Sequence, residues 1–341
     1  MRTEIATLGE FAFIERLTEN IKLTQPTSVK GVGDDAAVID NKNKQTLVAT
    51  DLMLEGIHFD LTYFPLKHLG YKAAIINFSD IYAMNGKPQQ ITVSLGISAR
   101  FSVEDIEEFY DGVKLACEIY NVDIVGGDTA SSLTGFTISI TCIGIANKDD
   151  LIYRNGAKDT DLICVSGDLG AAYMGLQLLE REKAVFKGQE NFTPDFSGKE
   201  YLLERQLKPE ARKDVIKELS KLAITPTAMI DISDGLSSDL LHICSQSNVG
   251  CRIFEERLPI DYQTAMMAES FNLNVSTVAL NGGDDYEMLF TVPLSVYEQV
   301  KLVPGIHVIG HITDESLDCK FVTRDEQEME LQAQGWTPQK D

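Results

Sequence analysis

Hydrophobic side chains recur along the chain with two spacings, which predict helices in some stretches and strands in others. Apolar residues three and four positions apart are typical of amphipathic helices, whereas apolar residues at every second position are typical of half-buried strands. The first spacing predicts helices over residues 8–22, 67–84, 102–120, 171–179, 210–222 and 235–246. Alternating or continuously apolar runs predict strands over residues 36–40, 46–50, 90–97, 122–125, 136–146, 162–166, 228–232, 287–292 and 307–312, and at Ala279. The mixture predicts an α/β fold class of the α+β kind, in which helices cover a sheet.

Turn and cap residues add detail to this pattern. Asn41-Lys42-Asn43 separates the first two predicted strands, so these strands are predicted to form a hairpin whose second strand ends at Asp51. Ser102 is a candidate helix cap, with Asp105 three residues further on. Residues 181–200 follow neither spacing and are predicted to be a mobile insertion.

The length of 341 residues predicts about two domains. The boundary is expected near residues 147–151, which gives an N-terminal domain over 1–148 and a C-terminal domain over 149–341. The N-terminal helices would cover one face of their sheet, so the other face needs a cover from the second domain or from a second copy in a homodimer. Each half also contains an apolar strand that leads to Gly-Gly-Asp, at Gly126–Asp128 and Gly282–Asp284, a hint of related folds.

Composition and charge exclude several classes of partner. The chain is 44% hydrophobic and 24% charged, as in globular proteins, and its acids outnumber its bases 52 to 30, a net charge of −22. Nucleic acids and anionic membranes are bound through positive surface, so neither is an expected partner, and an anionic ligand would need metal ions as intermediaries. The first ten residues carry acids where a secretory signal would be apolar, which predicts a cytoplasmic location. The six cysteines form no Cys-x-x-Cys pair and are predicted to be reduced core residues.

Aspartates beside glycines and apolar runs are the main chemical pattern of the sequence. They are Asp35, Asp51, Asp80, Asp128, Asp231, Asp234 and Asp284. Asp80 lies on the apolar face of its helix, and Asp231 and Asp234 are three positions apart around a turn that opens a helix, so they can share one ion. Turn or cap chemistry remains an alternative for any one of them. Because converging carboxylates repel one another unless a cation holds them together, the whole set predicts a site for several Mg²⁺ ions.

Other nucleotide and metal motifs do not fit. Gly31-x-Gly33-x-x-Ala36 matches a dinucleotide fingerprint in letters, but a proline precedes it, a strand-like run follows it, and two acids would face the pyrophosphate. The sequence has no P-loop motif. A calcium loop starting at Asp231 would need a glutamate at its twelfth position, which is His242. His58 is the histidine next to the acidic set, and a satisfied loop histidine is the alternative for it.

Seven motifs occur in an order that resembles the thiamine-monophosphate kinases. They are Gly31–Val38, Thr50–Phe59, Leu69–Met84, Gly127–Thr129, Arg154–Lys158, Ile230–Leu240 and Gly282–Glu287, followed near the C-terminus by Trp336. The resemblance covers nearly the whole chain. It implies the fold of the aminoimidazole-ribonucleotide synthetase superfamily, with an N-terminal mixed sheet that pairs across a homodimer and a C-terminal α/β domain that completes the substrate site.

The resemblance also implies a reaction and a set of ligands. The reaction is magnesium-dependent transfer of the ATP γ-phosphoryl group to thiamine monophosphate, without a covalent nucleophile on the protein. The implied magnesium ligands are Asp35, Thr50, Asp51, Asp80, Asp128, Asp231 and Asp234. The residues implied to bind ATP are Gly127, Asp128, Arg154, Ser233 and, near the adenine, Tyr110. Those implied to bind thiamine monophosphate are His58, Asp284 and Trp336.

Some positions depart from the pattern of the family, and other functions remain open. Ala49 stands where serine is common, Asp284 replaces a frequent glutamate, and Asn85-Gly86 replaces a small Gly-Ala pair. A purine-pathway synthetase is a rival on the same scaffold. Selenophosphate synthetase is another, but it would need a reactive cysteine in an N-terminal glycine-rich loop, and the first cysteine here is Cys117. A non-catalytic binding or maturation protein would not need the complete acidic set.

Overall fold

The computed structural model describes residues 16–30, 38–186, 196–314 and 318–333. The chain divides into two compact units, residues 1–151 and 152–341. Both units mix helices with sheets, which confirms the predicted fold class. None of the helices in the described part of the chain combines the length and the apolar character that a membrane span requires.

The first unit contains a four-stranded mixed sheet, a short two-stranded sheet and two long helices. Its strands are β1 (Ser28–Lys30), β2 (Val38–Ile39), β3 (Gln45–Leu54), β4 (Lys87–Ile97), β5 (Asp123–Ser131) and β6 (Thr137–Ala146). Its long helices are α1 (Leu66–Ala83) and α2 (Val103–Tyr120). The strand order of the larger sheet is β3-β6-β4-β5, in which only β4 and β5 are parallel. β3 and β5 are therefore the two edges of this sheet.

The predicted hairpin between the first two strands is wrong. β2 pairs with β1, with Ser28 opposite Ile39, and β3 pairs along all ten of its residues with β6. The long partner also carries β3 past the predicted end at Asp51 as far as Leu54. The turn residues at 41–43 indicated a change of chain direction. The hydrogen bonds of β3 nevertheless go to a strand about ninety residues away, which no local pattern reveals.

Both long helices were predicted correctly, and glycines let them cross closely. A Cβ atom on Gly70 would lie 1.9 Å from the backbone oxygen of Phe109, and one on Gly112 would lie 1.8 Å from the backbone oxygen of Lys67. The predicted cap of α2 is a full capping box, in which the Ser102 hydroxyl accepts a hydrogen bond from the Asp105 N–H and the Asp105 carboxylate accepts one from the Ser102 N–H. α1 also packs on β3, β6 and β4, so it is buried nearly all round.

The second unit is built on a seven-stranded sheet with the order β13-β12-β9-β11-β7-β10-β8. Its strands are β7 (Leu162–Ser166), β8 (Ala228–Asp231), β9 (Gly250–Phe254), β10 (Met288–Val292), β11 (Ile306–Thr313), β12 (Cys319–Val322) and β13 (Glu328–Glu330). Its helices are α3 (Ala171–Phe186), α4 (Glu200–Leu207), α5 (Lys213–Lys221), α6 (Leu236–Ser247), α7 (Tyr262–Ser270), α8 (Val275–Asn281) and α9 (Tyr297–Val300). All neighbouring strands are antiparallel except β9 and β12.

Two predictions for the second unit are wrong. Ala279 lies in α8 rather than in a strand, so the second Gly-Gly-Asp follows a helix, whereas the first lies inside β5. Residues 181–186, placed in the predicted insertion, continue α3, and α4 begins at Glu200. Residues 187–195 lie outside the described part of the chain. The predicted strands 162–166 and 228–232 and the predicted helices 210–222 and 235–246 are confirmed within a few residues at each end.

Candidate active-site residues in the two units

In the first unit, the structure brings Asp51 and Asp80 together. Asp51 is opposite Ile140 across the β3–β6 pair, and Ile140 is buried on the face that α1 covers, so the Asp51 side chain lies on that face too. Asp80 lies near the end of α1, which packs on β3 and β6. Burial raises the pKa of the Cys142 thiol, and the negative charges of both Asp80 and Asp51 raise it further. The carboxylates of Asp51 and Asp80 therefore both lie close enough to the buried Cys142 thiol to change its pKa.

Thr50 lies beside Asp51 in sequence but on the opposite face of the sheet. Its hydroxyl donates a hydrogen bond to the backbone oxygen of Ile140 at 3.1 Å and lies 3.0 Å from the hydroxyl of Thr141. Neighbouring residues of a strand point to opposite faces. The structure therefore does not bring the Thr50 hydroxyl together with the carboxylate of Asp51.

Gly127 and Asp128 lie within β5. The sequence predicted a short strand over 122–125 that ends before them, and this prediction is wrong. A Cβ atom on Gly127 would lie 2.1 Å from the backbone oxygen of Val93, so only glycine allows this pairing of β4 with β5. Asp128 is opposite Ser94 in the β4–β5 pair. Val93, which precedes Ser94 in β4, lies in the same row of paired residues across the sheet as Asp51. Asp128 thus lies on the face opposite to Asp51, on the other edge strand, about 14 Å away at ordinary strand spacing. The structure does not bring these two carboxylates together.

His58 and Tyr110 differ in accessibility. His58 is exposed in the turn after β3, where its Nδ1 accepts a hydrogen bond from the Leu54 N–H at 3.0 Å. Because Nδ1 is the acceptor, Nε2 carries the proton of the neutral ring and is available to a ligand. Tyr110 is only 6% exposed within the helix layer, and burial raises its pKa to about 12. Its ring is a core side chain and not an open stacking surface.

In the second unit, three aspartates crowd the loop between β8 and α6. Asp231 is the last residue of β8, Asp234 lies in the loop, and Asp239 lies in the first turn of α6. Burial, together with the negative charges of Asp231 and Asp234, raises the pKa of Asp239 to about 8. The Ser233 N–H donates a hydrogen bond to Asp239 Oδ2 at 3.1 Å. Crowded carboxylate oxygens are the donors that Mg²⁺ prefers, so this set fits a divalent cation.

Asp239 was not among the predicted site residues. The available signal was an acid in the first turn of a predicted helix, where long side chains point back toward the loop before it. First-turn acids are also common without any functional role, so this signal alone did not separate Asp239 from a helix cap.

Asp284 joins the acidic loop through backbone hydrogen bonds. The Asp284 N–H donates to the Ser233 oxygen at 2.8 Å, and the Tyr286 N–H donates to the Ile232 oxygen at 2.8 Å. Gly283 and Asp284 both have positive φ angles, +70° and +58°, and a Cβ atom on Gly283 would lie 2.8 Å from the Ser233 oxygen. The Tyr286 hydroxyl donates to Asp284 Oδ1 at 2.9 Å. The structure thus brings Asp284 together with Asp231, Ser233 and Asp234.

Arg154 is exposed, and no described residue forms an ion pair with its guanidinium. Its backbone oxygen accepts a hydrogen bond from the hydroxyl of Ser247, the last residue of α6, at 3.1 Å. The neighbouring Tyr153 accepts one from the N–H of Met229 in β8 at 3.1 Å. Arg154 is therefore anchored by its backbone to the two elements that flank the acidic loop.

A buried ionic network lies behind the loop that carries Asp284. Arg205 donates a hydrogen bond to Glu287 Oε1 at 2.9 Å and lies 3.8 Å from Asp285 Oδ1. Arg212 forms a short ion pair with the other oxygen of Glu287. Asp285 and Glu287 are each 1% exposed. Burial raises the pKa of Asp285 to about 7, although the positive charge of Arg205 and the Gly170 N–H oppose the shift.

Sequence reasoning did not find this network. Its members come from positions far apart in the chain, and the acids and arginines follow no shared motif. Arg205 also donates to the backbone oxygens of Asp168 and Asp285, at 3.1 and 3.3 Å, and Asp168 accepts from the Tyr201 hydroxyl at 2.5 Å. The network thus fixes the backbone of the segment that follows Asp284.

Two predicted site residues, Asp35 and Trp336, lie outside the described residues. Eight of the remaining site residues fall into three sets. The first contains Asp51 and Asp80, the second contains Gly127 and Asp128 on the other edge strand, and the third contains Asp231, Ser233, Asp234 and Asp284. Arg154, His58, Thr50 and Tyr110 are placed as described above.

Known proteins resemble this chain over most of its length. A family model of the N-terminal domain of AIR synthase related proteins matches residues 33–146. Thiamine-monophosphate kinase of Aquifex aeolicus (strain VF5) is 36% identical over 286 residues, which cover 84% of this chain and 86% of the relative. Thiamine-monophosphate kinase of Bacillus subtilis (strain 168) is 32% identical over 337 residues, covering 96% and 99%. The solved structure of AaThiL complexed with AMPPCP and TMP superposes with a TM-score of 0.72 at 33% identity, covering 97% of each chain.

Proposed function

The chain belongs to the thiamine-monophosphate kinase family, and from this premise we propose that it transfers the γ-phosphoryl group of ATP directly to thiamine monophosphate. The products are thiamine diphosphate and ADP, and the reaction is the last step of thiamine diphosphate biosynthesis. The observation that carries the proposal is the 32% identity to the Bacillus subtilis kinase over 96% of this chain. The complex of AaThiL with AMPPCP and TMP supports the same pair of substrates.

We assign magnesium binding to the carboxylates that the structure groups together. Asp51 with Asp80 would hold metal in the first unit, and Asp231 with Asp234 in the second. The upward pKa shift of Asp239 supports the second assignment, because burial and the negative charges of Asp231 and Asp234 both disfavour a further anion there, and a cation would relieve this. When bound, Mg²⁺ neutralises phosphate oxygens and so reduces the repulsion between two anionic substrates. Asp35, Thr50 and Asp128 remain predicted ligands.

We assign substrate binding to four of the predicted residues that the structure describes. Arg154 offers an exposed guanidinium suited to phosphate oxygens, and Ser233 lies in the acidic loop between β8 and α6. Asp284, held by the Tyr286 hydroxyl, offers a carboxylate to the cationic thiazolium of thiamine monophosphate. His58 offers an Nε2 proton. The roles of Gly127, Tyr110 and Trp336 stay predictions.

The protein needs no covalent nucleophile for this reaction. The acceptor phosphate is ionised at neutral pH, so its oxygen can attack the γ-phosphorus in line with the leaving ADP oxygen. The chain then contributes by orienting the two phosphates and by excluding competing water. These contributions agree with candidate sites that are rich in carboxylates and in backbone hydrogen bonds.

A homodimer completes the proposal. The face of the four-stranded sheet remote from α1 carries Val48, 66% exposed, and Leu52, 54% exposed, beside Thr50. Apolar side chains on a sheet face favour a cover, and a second copy of the same face supplies one. Sedimentation of the wild type as a dimer, and of Val48→Glu as a monomer, is expected. A monomeric wild type at micromolar concentration would contradict this part of the proposal.

The function is tested by incubating the pure protein with ATP, Mg²⁺ and thiamine monophosphate and measuring thiamine diphosphate by chromatography. Asp51→Asn is expected to lower turnover about 10³-fold, the loss expected when several kcal/mol of charge stabilisation is removed. Asp111→Asn, an exposed aspartate on α2, is the matched control and should be unaffected. No product from folded wild type, or equal turnover in Asp51→Asn, would favour a non-catalytic protein on this scaffold.

All six cysteines are free thiols, which agrees with a reducing, cytoplasmic location.

A further inference from the structure

Three buried cysteines of the second unit converge on one point. They are Cys244 in α6, Cys251 in β9 and Cys319 in β12. Their sulfur atoms all lie within 4.8 Å of one another. The residues are 0%, 0% and 3% exposed, and none forms a disulfide. Three separate elements therefore supply one thiol each to a single closed cluster.

The backbone around the cluster fixes the three positions. Cys251 and Cys319 are register partners in the parallel β9–β12 pair. Cys244 is tied to the start of β9 because the Val249 N–H donates to the Cys244 oxygen at 3.0 Å, where Asn248 ends α6 in a left-handed conformation. The Leu331 N–H donates to the Cys319 oxygen at 2.9 Å. The three sulfurs are thus positioned without any contribution from a ligand.

The donor set selects a soft cation. Thiolates bind a d¹⁰ ion at about 2.3 Å, which places sulfurs that share one ion about 4 Å apart, within the upper limit observed for this cluster. The cluster belongs to an apolar core that includes Val249, Ile253 and Ile312, and sulfur donors in such surroundings disfavour the oxygen-seeking Mg²⁺.

We propose that Cys244, Cys251 and Cys319 bind one thiophilic d¹⁰ cation, Zn²⁺ or Cu⁺. On binding, each thiol that becomes a ligand releases its proton to solvent, and no oxidation takes place. Since the sulfurs are buried, the ion enters as the second unit folds. The bound ion ties α6 to β9 and β12. Because α6 begins directly after the loop of Asp231 and Asp234, the bound ion also stabilises the position of the helix that follows this loop.

The test measures metal directly on the full-length protein. The wild type, Cys251→Ser, Cys319→Ser and Cys164→Ser are purified and unfolded under anaerobic, reducing conditions and refolded with Zn²⁺ alone or Cu⁺ alone. Each is then passed over a desalting column and analysed for metal and protein. Cys164 is the matched control, since it is also a 0% exposed free cysteine of the second unit but lies outside the cluster. We expect one ion per chain in the wild type and in Cys164→Ser, and at least a tenfold loss in the two cluster variants.

A measurement on the wild type keeps the proposal falsifiable if the variants do not fold. X-ray absorption at the metal edge should show three sulfur neighbours at about 2.3 Å, alone for Cu⁺ or with one oxygen for Zn²⁺. The wild type refolded with metal should also melt at a higher temperature than the wild type refolded with a chelator, whatever its activity. Absence of bound ion for both metals, coordination by nitrogen and oxygen only, equal metal in Cys251→Ser, or a disulfide between cluster cysteines would overturn the proposal.

Discussion

The second unit contains two acidic clusters whose surroundings have opposite charge. The first is the network of Asp285 and Glu287, in which the guanidinium groups of Arg205 and Arg212 face the carboxylates. The second is the loop cluster of Asp231, Asp234 and Asp239. There the charges that act on Asp239 are the negative charges of the other two. One cluster contains its own cations, whereas the other concentrates negative charge at a loop.

This difference separates acids that hold the fold from acids that are available to a ligand. A buried carboxylate paired with arginine leaves an uncompensated charge when either partner is removed, so it is expected to matter for stability. A carboxylate such as Asp239, whose pKa is raised by burial and by neighbouring carboxylates, gains when a neighbour is neutralised, so its cluster is expected to matter for cation binding and turnover instead. The two clusters adjoin through Asp284 and Asp285, which are consecutive in the chain.

The largest expected effect is on turnover through the loop cluster. Asp231→Asn should lower turnover about 10³-fold, equivalent to about 4 kcal/mol, because it removes a proposed metal ligand. The thermal midpoint should not fall, since one of three like charges is lost. Turnover is measured by thiamine diphosphate formation and stability by calorimetry. A folded variant with wild-type turnover would place Asp231 among the structural acids.

The next effect is on stability through the arginine network. Glu287→Gln should lower the free energy of unfolding by about 3 kcal/mol, because Arg205 and Arg212 would lose their shared buried carboxylate. Urea denaturation measures the loss. Glu298→Gln is the control, since Glu298 forms an exposed pair with Lys301 and should change stability by less than about 1 kcal/mol. Equal small losses in both variants would remove the distinction between the clusters.

The third effect is a change of about 2 kcal/mol in the free energy of unfolding with pH, which follows from the raised pKa of Asp285. Burial raises this pKa to about 7, so the folded state binds the proton more tightly than the unfolded chain, where an aspartate titrates near pH 4. The resulting stabilisation is complete below about pH 4 and is lost as the pH rises to 7, by at most about 1.4 kcal/mol per unit. Asp285→Asn stays neutral, so its stability relative to the wild type should improve between pH 5.5 and 7.5. A pH-independent difference would contradict the shift.

The smallest expected effect is that of Mg²⁺ on thermal stability. An ion present at a few times its dissociation constant stabilises the folded state by about 1 kcal/mol. Mg²⁺ should therefore raise the melting temperature of the wild type slightly, and less in Asp231→Asn. Asp285→Asn should respond like the wild type, because that residue belongs to the network with its own cations. Equal Mg²⁺ responses in all three proteins would show that the loop cluster does not bind the ion.

The sequence predicted helices better than strand partners. The spacing of apolar residues and the capping pair of Ser102 and Asp105 predicted α2 almost to the residue, because helical hydrogen bonds and caps are local. The partner of β3 was missed because its hydrogen bonds connect residues far apart in the chain. Asp80 was predicted to be unusual from its place on an apolar helix face, and it does lie with Asp51 over the sheet.

The amino-acid sequence alone determined the acidic character, the long helices and the motifs that identify the family, since these depend on residue identity and short spacings. The tertiary structure alone decided that Asp51 and Asp128 lie on opposite faces of one sheet, because strand register sets the face of every side chain. It likewise decided that Arg205 neutralises one acidic cluster and not the other, and that three cysteines from separate elements meet. Charge and sulfur chemistry act through space, and only the folded chain sets those distances.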